Sequence, residues 1–137
     1  MTLDKILSIS KKPGLYKLIS PTKNAYIVES LIDQKRTVVK IDRSLSLLSD
    51  ISIFTLDKEV PLANVFLKIF ETENGQATPI DSKSAKDDLE AYFFGILPNF
   101  DEDRVYPSDI KKIISWYNLL LNNGFNFESA TNDESKD

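Results

Sequence analysis

Basic side chains interleaved with tyrosines occupy the first third of the chain, and their types and spacing suit binding chemistry. Lysine and arginine contact phosphate, and tyrosine rings stack on unpaired bases, as in small β-barrels that bind single-stranded nucleic acid. The alternative, which we favour, is that lysines at strand edges and hairpin turns keep sheets from associating edge to edge. Both interpretations concern the same set: Lys11, Lys12, Tyr16, Lys17, Lys23, Tyr26, Lys35, Arg36 and Lys40. The net charge of −4 for the whole chain also opposes polyanion binding.

A strongly apolar predicted helix near the C-terminus offers a second kind of surface. Its apolar set covers more than half of the helix circumference once Trp116 and Leu119 are included. A helix that is apolar on most sides is either central to a core or shared with a partner. We favour burial for most of this helix and take Trp116 and Leu119 as the candidate face for contact with a protein partner.

The composition excludes several classes of catalytic site. Cysteine and histidine are absent from the sequence, which excludes thiol nucleophiles, Cys-ligated zinc and imidazole general bases. No phosphate-binding glycine pattern and no Gly-x-Ser-x-Gly elbow is present. A Ser–Lys dyad or a pair of catalytic carboxylates remains open, although no spacing supports either. We therefore expect a protein that is not an enzyme and has no cofactor.

Three consecutive acidic residues, Asp101, Glu102 and Asp103, form the densest cluster of carboxylates. Carboxylate oxygens bind hard cations. This cluster lacks the alternating spacing of a calcium loop, and side chains adjacent in sequence point in different directions. We expect a solvated loop between two helices, in which Arg104 pairs with one of the acids, and no metal site.

Residues 1–58 predict a β-rich lobe that begins with a short helix. Leu3, Ile6 and Leu7 share one helical face, after which Pro13 and Gly14 begin a series of strands. β-Branched and aromatic residues predict strands at 15–19, 25–31, 36–41 and 51–56, joined by tight turns. A polar loop with one helical turn separates the last two. We expect this antiparallel meander to curl into a small SH3-like barrel.

In residues 59–125 the apolar residues recur with the period of an α-helix, which predicts a helical lobe. An amphipathic stripe predicts the first helix and contains Leu62, Val65, Phe66, Ile69 and Phe70. Two more helices are predicted at 84–97 and 108–123, with Gly124 ending the last one. Residues 126–137 are expected to form a disordered acidic tail. The predicted fold class is α+β, an N-terminal β-meander packed against a C-terminal three-helix lobe, because lobes this small are marginal alone.

Short segments spread over residues 2–124 carry a resemblance to other proteins. They are Leu3-Asp4-Lys5-Ile6-Leu7, Pro13-Gly14-Leu15-Tyr16-Lys17-Leu18, Val28-Glu29-Ser30-Leu31, Asp50-Ile51-Ser52-Ile53, Asp103-Arg104-Val105-Tyr106, Ser108-Asp109-Ile110-Lys111-Lys112 and Trp116-Tyr117-Asn118-Leu119-Leu120. Together they resemble an uncharacterised bacterial family, a domain of unknown function. The resemblance implies small cytoplasmic proteins with a β-rich N-terminal part and a helical C-terminal part, and it implies no catalytic residue. One departure is Lys11, which stands where the resemblance implies glycine.

Charge is distributed unevenly along the chain. Residues 1–60 carry 10 basic and 7 acidic side chains, whereas residues 61–137 carry 7 basic and 14 acidic ones.

No apolar run approaches the ~18 residues that a membrane helix needs, and the N-terminus lacks a secretory signal. We therefore expect a cytoplasmic protein without a membrane partner; the oligomeric state stays open. The expected function is a non-catalytic module that acts through protein–protein contacts, and the alternative is a nucleic-acid-binding module that uses the basic strands of residues 11–43.

Overall fold

The order of the elements follows the change of hydrophobic period from two residues to about 3.6 along the chain. The computed structural model describes residues 2–128, and within them β-strands precede α-helices, so the predicted α+β class is confirmed. The strands are β1 Ile6–Ile9, β2 Tyr16–Pro21, β3 Ala25–Ser30, β4 Arg36–Lys40, β5 Leu45–Leu47, β6 Ser52–Phe54 and β7 Glu59–Pro61. The helices are α1 Leu62–Thr72, α2 Lys86–Ile96 and α3 Pro107–Asn122, and short 3-10 turns occupy Leu3–Lys5 and Leu48–Asp50.

Five strands form one antiparallel sheet in the order β4-β3-β2-β1-β5. The predicted meander is present as β2, β3 and β4. The predicted N-terminal helix is reduced to the 3-10 turn at Leu3–Lys5, and the chain continues directly into β1. Ile6 and Leu7 are both buried although they lie on opposite faces of β1, which is paired with β2 on one side and with β5 on the other. A spacing that also fits a helix therefore belongs to a fully buried strand.

The sheet is strongly curved but does not close into the predicted barrel. β4 and β5 lie at opposite edges and do not pair with each other within residues 2–128. In a flat sheet these edges would be about 19 Å apart. The chain from Lys40 to Leu45 reaches at most about 17 Å, so the sheet must bend to bring its edges together. A cavity of about 310 Å³, lined by Tyr26 of β3 and Leu45 and Leu47 of β5, marks the open seam.

The last part of the β-rich region also departs from the prediction. β5, which we predicted as loop, pairs with β1 through Leu7↔Leu47 and Ile9↔Leu45. The predicted fourth strand of the meander is instead β6, which forms a separate two-stranded sheet with β7. Each of these strands has three residues, too few for an alternating pattern to be recognised.

One hydrophobic core joins the β-rich region to the helices. Leu15, Leu31 and Leu48 from the first region are buried in the same cluster as Phe66 of α1 and Tyr117 of α3. The first helix buries its predicted stripe, with Phe70 only half-buried. Residues on both sides of position 58, where we placed the boundary between the lobes, thus contribute to a single core.

The packed chain extends past the predicted boundary at residue 125. Helix α3 ends at Asn122, and Gly124, with φ +76°, turns the chain so that the Phe125 N–H donates to the Leu120 carbonyl at 3.0 Å. Phe127 is then only 1% exposed, so the prediction of a disordered tail from residue 126 is wrong at this residue. Residues 129–137 of that predicted tail lie outside the described residues.

Candidate functional site

The basic residues and the tyrosines of the central strands lie on opposite faces of the sheet. Lys17 is paired with Glu29, and Glu29 with Arg36, so these three form one row across β2, β3 and β4. Tyr16 lies on the other face, since neighbouring residues of a strand alternate. Tyr26 is two residues from the fully buried Val28 and therefore shares the core-side face. The predicted combination of stacking tyrosines and phosphate-binding lysines is not assembled on these strands.

The basic residues of the sheet do not form a cluster. Arg36 is engaged with Glu29, with 3.1 Å between Nε and Oε1. Lys23 is in the β2–β3 turn, whereas Lys35 precedes β4 and Lys40 ends it. At about 3.3 Å per residue, Lys35 and Lys40 are about 16 Å apart along the strand.

Lys11 and Lys12 lie elsewhere, together with the candidate protein-contact face. A cleft of about 530 Å³ opens between the β1–β2 loop and α3. We call it the lysine cleft; its lining includes Lys11, Lys12, Lys111, Lys112, Trp116 and Leu119. Two sets of residues that the sequence analysis treated as separate surfaces, Lys11–Lys12 and Trp116–Leu119, thus belong to one site.

The loop side of the lysine cleft is fixed by backbone hydrogen bonds and by a close approach of glycine. The Ser10 N–H donates to the Ser44 carbonyl at 2.8 Å and anchors the loop to the β4–β5 connection. Gly14 has φ +77°, and a Cβ built there would lie 2.4 Å from Ile32 Cδ1 and 2.9 Å from its Cγ1. Another residue at this position would displace Ile32 from the wall of the cleft.

The helix side is held against the sheet at the C-terminal end of α3. The Asn123 side-chain Nδ2 donates to the Leu31 carbonyl at 3.2 Å and to the Leu119 carbonyl at 2.9 Å. Leu31 in turn donates its N–H to the Leu15 carbonyl at 2.9 Å, at the start of β2. The two walls of the cleft are therefore connected through the end of β3, so their separation is set by the fold.

The cleft is strongly basic although the chain is acidic. Four lysines line it, and its lining contains no carboxylate. In the described part of the chain, no carboxylate lies within ion-pair distance of any of these four amines, since the ion pairs there are Arg36–Glu29 and Arg104–Asp101. Apolar lining from Trp116, Leu119 and Ile32 lowers the local dielectric and strengthens attraction for anions.

A second, smaller compartment adjoins the lysine cleft. It has a volume of about 310 Å³ and shares Ser8, Lys112 and Trp116 with the cleft. Arg104 also lines this compartment, with its guanidinium carbon 4.2 Å from the centre of the Phe54 ring. Trp116 therefore lines both compartments.

In the acidic cluster, Asp101 accepts hydrogen bonds from other residues of the loop before α3. Asp101 Oδ2 accepts from Arg104 Nε at 2.9 Å, as expected for an acid paired with Arg104, and Asp101 Oδ1 accepts from the Asp103 N–H at 3.0 Å. The bond from Arg104, together with the Asp103 N–H, holds the pKa of Asp101 below its ordinary value of 3.8. No group of carboxylates suited to a metal ion occurs among residues 2–128.

Lys111 and Lys112 are the site residues that sequence reasoning missed. Lys112 precedes Trp116 by four residues and so shares its face of α3. That spacing was available from the sequence. What was not available is that the face looks onto the β1–β2 loop, because this depends on packing between distant parts of the chain.

Two family models match different parts of the chain. Residues 3–48 match the family model described as Domain of unknown function (DUF5606). Residues 51–120, just over half of the chain, match the model described as Domain of unknown function (DUF6852). The chain belongs to the DUF6852 family. The lysine cleft combines both matched regions, since Lys11 and Lys12 come from the DUF5606 part and the α3 residues from the DUF6852 part.

A solved structure is similar to most of the chain. This DUF6852 chain is 48% identical to a Bacteroides vulgatus protein whose solution NMR structure was determined by a structural genomics consortium. The two superpose with a TM-score of 0.75 over 89% of this chain and 87% of that one. No curated protein sequence matches significantly. The predicted resemblance to a bacterial family with β-rich and helical parts is confirmed.

Proposed function

We propose that this protein is a non-catalytic cytoplasmic module that holds an acidic segment of a protein partner in the lysine cleft. The observation that carries the proposal is the meeting of Trp116 and Leu119 with four lysines that have no carboxylate partner in the described residues. Lysines at the rim attract carboxylates, and the apolar lining accommodates an aliphatic or aromatic side chain of the same segment. This is the usual composition of a site that binds a short peptide, with charge for orientation and an apolar pocket for affinity.

Binding is favoured over catalysis by the hydrogen bonding within the cleft. Ser8, Ser10 and Ser115 line it beside the lysines, which raises the question of a Ser–Lys dyad. Among the described residues, no hydrogen bond joins one of these hydroxyls to a lysine amine, whereas an activated serine needs such a contact with its base.

Within residues 2–128 no helix is long and apolar enough to cross a membrane.

A protein partner is favoured over nucleic acid by the arrangement of charge. The tyrosines that would stack on bases face the opposite side of the sheet from Lys17 and Arg36. Residues 61–137 carry 14 acidic against 7 basic side chains, and this charge repels a long polyanion. A short acidic segment that stays inside the cleft experiences mainly the four lysines, because charges beyond a Debye length of about 10 Å are screened.

The test uses Trp116, which is the only tryptophan in the sequence and lines the cleft. Its fluorescence is followed while a short glutamate-rich peptide with a central leucine pair is added. We expect a change in Trp116 emission that saturates, weakens with added salt, and is absent for the peptide in which glutamine replaces every glutamate.

The matched variants remove the same charge from two places. K111Q together with K112Q takes two lysines from the cleft, whereas K23Q together with K40Q takes two from the far end of the sheet. We expect only the first pair to weaken peptide binding. A missing response to the glutamate-rich peptide, equal weakening by both pairs, or tighter binding of an oligothymidylate would each overturn the proposal, and the last would favour the nucleic-acid alternative.

A further inference from the structure

Lys11 has a backbone conformation that is unfavourable for lysine. Its φ is +69°, in the left-handed region that favours glycine. It is the third residue of a four-residue turn closed by a hydrogen bond of 3.0 Å from the Lys12 N–H to the Ile9 carbonyl. A positive φ at the third position is typical of a type II turn, where glycine or asparagine is the usual residue.

The other residues with positive φ in the described chain have evident compensation. Apart from glycines they are Asn74, with φ +53°, and Gln34, with φ +59°. Asparagine tolerates this region well. The Gln34 side chain donates from Nε2 to the Leu31 carbonyl at 3.0 Å and so contributes to its turn. Within residues 2–128 the Lys11 side chain makes no hydrogen bond or ion pair, so no side-chain contact compensates for its backbone.

The position of Lys11 indicates what does compensate. Lys11 lines the lysine cleft, where its positive charge is the property that a glycine would lack. Strained backbone conformations occur most often at residues that bind ligands or take part in catalysis. We propose that Lys11 is the affinity-determining anchor of the cleft, whose amine binds a carboxylate of the ligand, and that its left-handed backbone is a stability cost retained for that contact. This inference rests on the proposed function.

The test separates the charge of Lys11 from its backbone. K11Q removes the charge and keeps a side chain at positive φ, whereas K11G removes the charge and relieves the strain. We expect both variants to bind the glutamate-rich peptide about tenfold more weakly in the Trp116 titration, as for loss of one charge-assisted hydrogen bond. We expect only K11G to melt at a higher temperature, by about 2–5 °C.

Lys12 supplies the matched control, because it lines the same cleft without a positive φ. K12G should gain no thermal stability, so a gain in K11G alone identifies relief of strain at position 11. A wild-type protein that ignores the peptide would overturn the proposed function and this inference with it. Peptide binding by the wild type that K11G and K11Q leave unchanged, or a melting temperature that K11G does not raise, would overturn this inference alone.

Discussion

The ring of Phe127 is stacked on the ring of Tyr117, with centroids 4.9 Å apart and planes inclined by 26°. Phe127 also meets Phe66 edge-on at 5.9 Å, Phe125 at 5.0 Å and the tilted ring of Phe70 at 5.4 Å. The segment that follows α3 therefore closes the core between α1 and α3 with an aromatic cluster. These residues belong to the folded unit.

Replacing Phe127 with alanine should lower the free energy of unfolding by about 3–5 kcal/mol, because the ring is buried and leaves a cavity among other rings. Urea denaturation followed by circular dichroism measures the loss. Phe94→Ala is the control, since Phe94 is 38% exposed and one face of it contacts Phe100. Its loss should be clearly smaller; equal losses would show that Phe127 is not part of the core.

A series of glycine substitutions should separate backbone strain from crowding. Gly14 and Gly124 have nearly the same φ, +77° and +76°, but an added Cβ meets Ile32 at Gly14 and nothing within 4 Å at Gly124. Alanine should cost about 1–2 kcal/mol at either position through the left-handed backbone. Only G14A should also change Trp116 emission, because Ile32 must leave the wall of the cleft.

Gly95 is the reference for that series. It lies in α2 with open space around it and an ordinary φ. Alanine there should stabilise the protein by up to about 1 kcal/mol through helix propensity. Denaturation curves of the three variants compare the costs directly, and a G124A protein as stable as G95A would contradict the strain argument.

Tyr117 should make the protein less stable in alkali. Burial, with a smaller contribution from the Glu73 charge, raises the pKa of Tyr117 from 10.0 to about 12. Because the folded-state value is the higher one, the stabilisation is complete below pH 10 and is lost as pH rises from 10 to about 12. Y117F should make this loss shallower without abolishing it, because burial and the hydrogen bond to Glu73 also raise the pKa of Tyr92. It should also lose about 1 kcal/mol at neutral pH, with the hydrogen bond from the Tyr117 hydroxyl to the Gln76 carbonyl.

Asp101 should have the opposite effect in acid. Arg104 lowers the pKa of Asp101, so its contribution is present above the ordinary value of 3.8 and is lost as pH falls through the lower folded-state value. D101N should therefore melt at a lower temperature near neutral pH and show a shallower loss of stability below pH 3.8. Melting curves at a series of pH values measure this. The control is E102Q, an equal charge change at the exposed neighbour, which should melt at the wild-type temperature near neutral pH.

The parts of the fold that could be predicted are those with long, regular patterns. The stripe from Leu62 to Phe70 defines α1 because apolar residues recur at the helical period over more than two turns. β1 and β5 gave no such signal. β1 is buried on both faces and shows no alternation, and β5 is a three-residue strand defined by its partner Leu7↔Leu47 rather than by its own residues.

The candidate site was predictable residue by residue but not as an assembly. Basic type singled out Lys11, and excess apolar surface on α3 singled out Trp116. Their proximity depends on the β1–β2 loop packing against a helix about 100 residues later in the chain, and no local pattern contains that information. Local pattern instead suggested that Lys17 and Tyr16 act together, although alternation along β2 puts them on opposite faces.

The position of β1 inside the sheet, between β2 and β5, has a consequence for how the protein is made. β1 leaves the ribosome first, yet its partner β5 follows about 40 residues later and the ring of Phe127 about 120 residues later. At ordinary rates of translation that interval is on the order of 10 s, far longer than a domain of this size needs to fold. During that interval Ile6 and Leu7, both buried in the finished protein, lack the residues that will cover them. Until Phe127 has been synthesised, the nascent chain therefore carries apolar segments that are not yet buried.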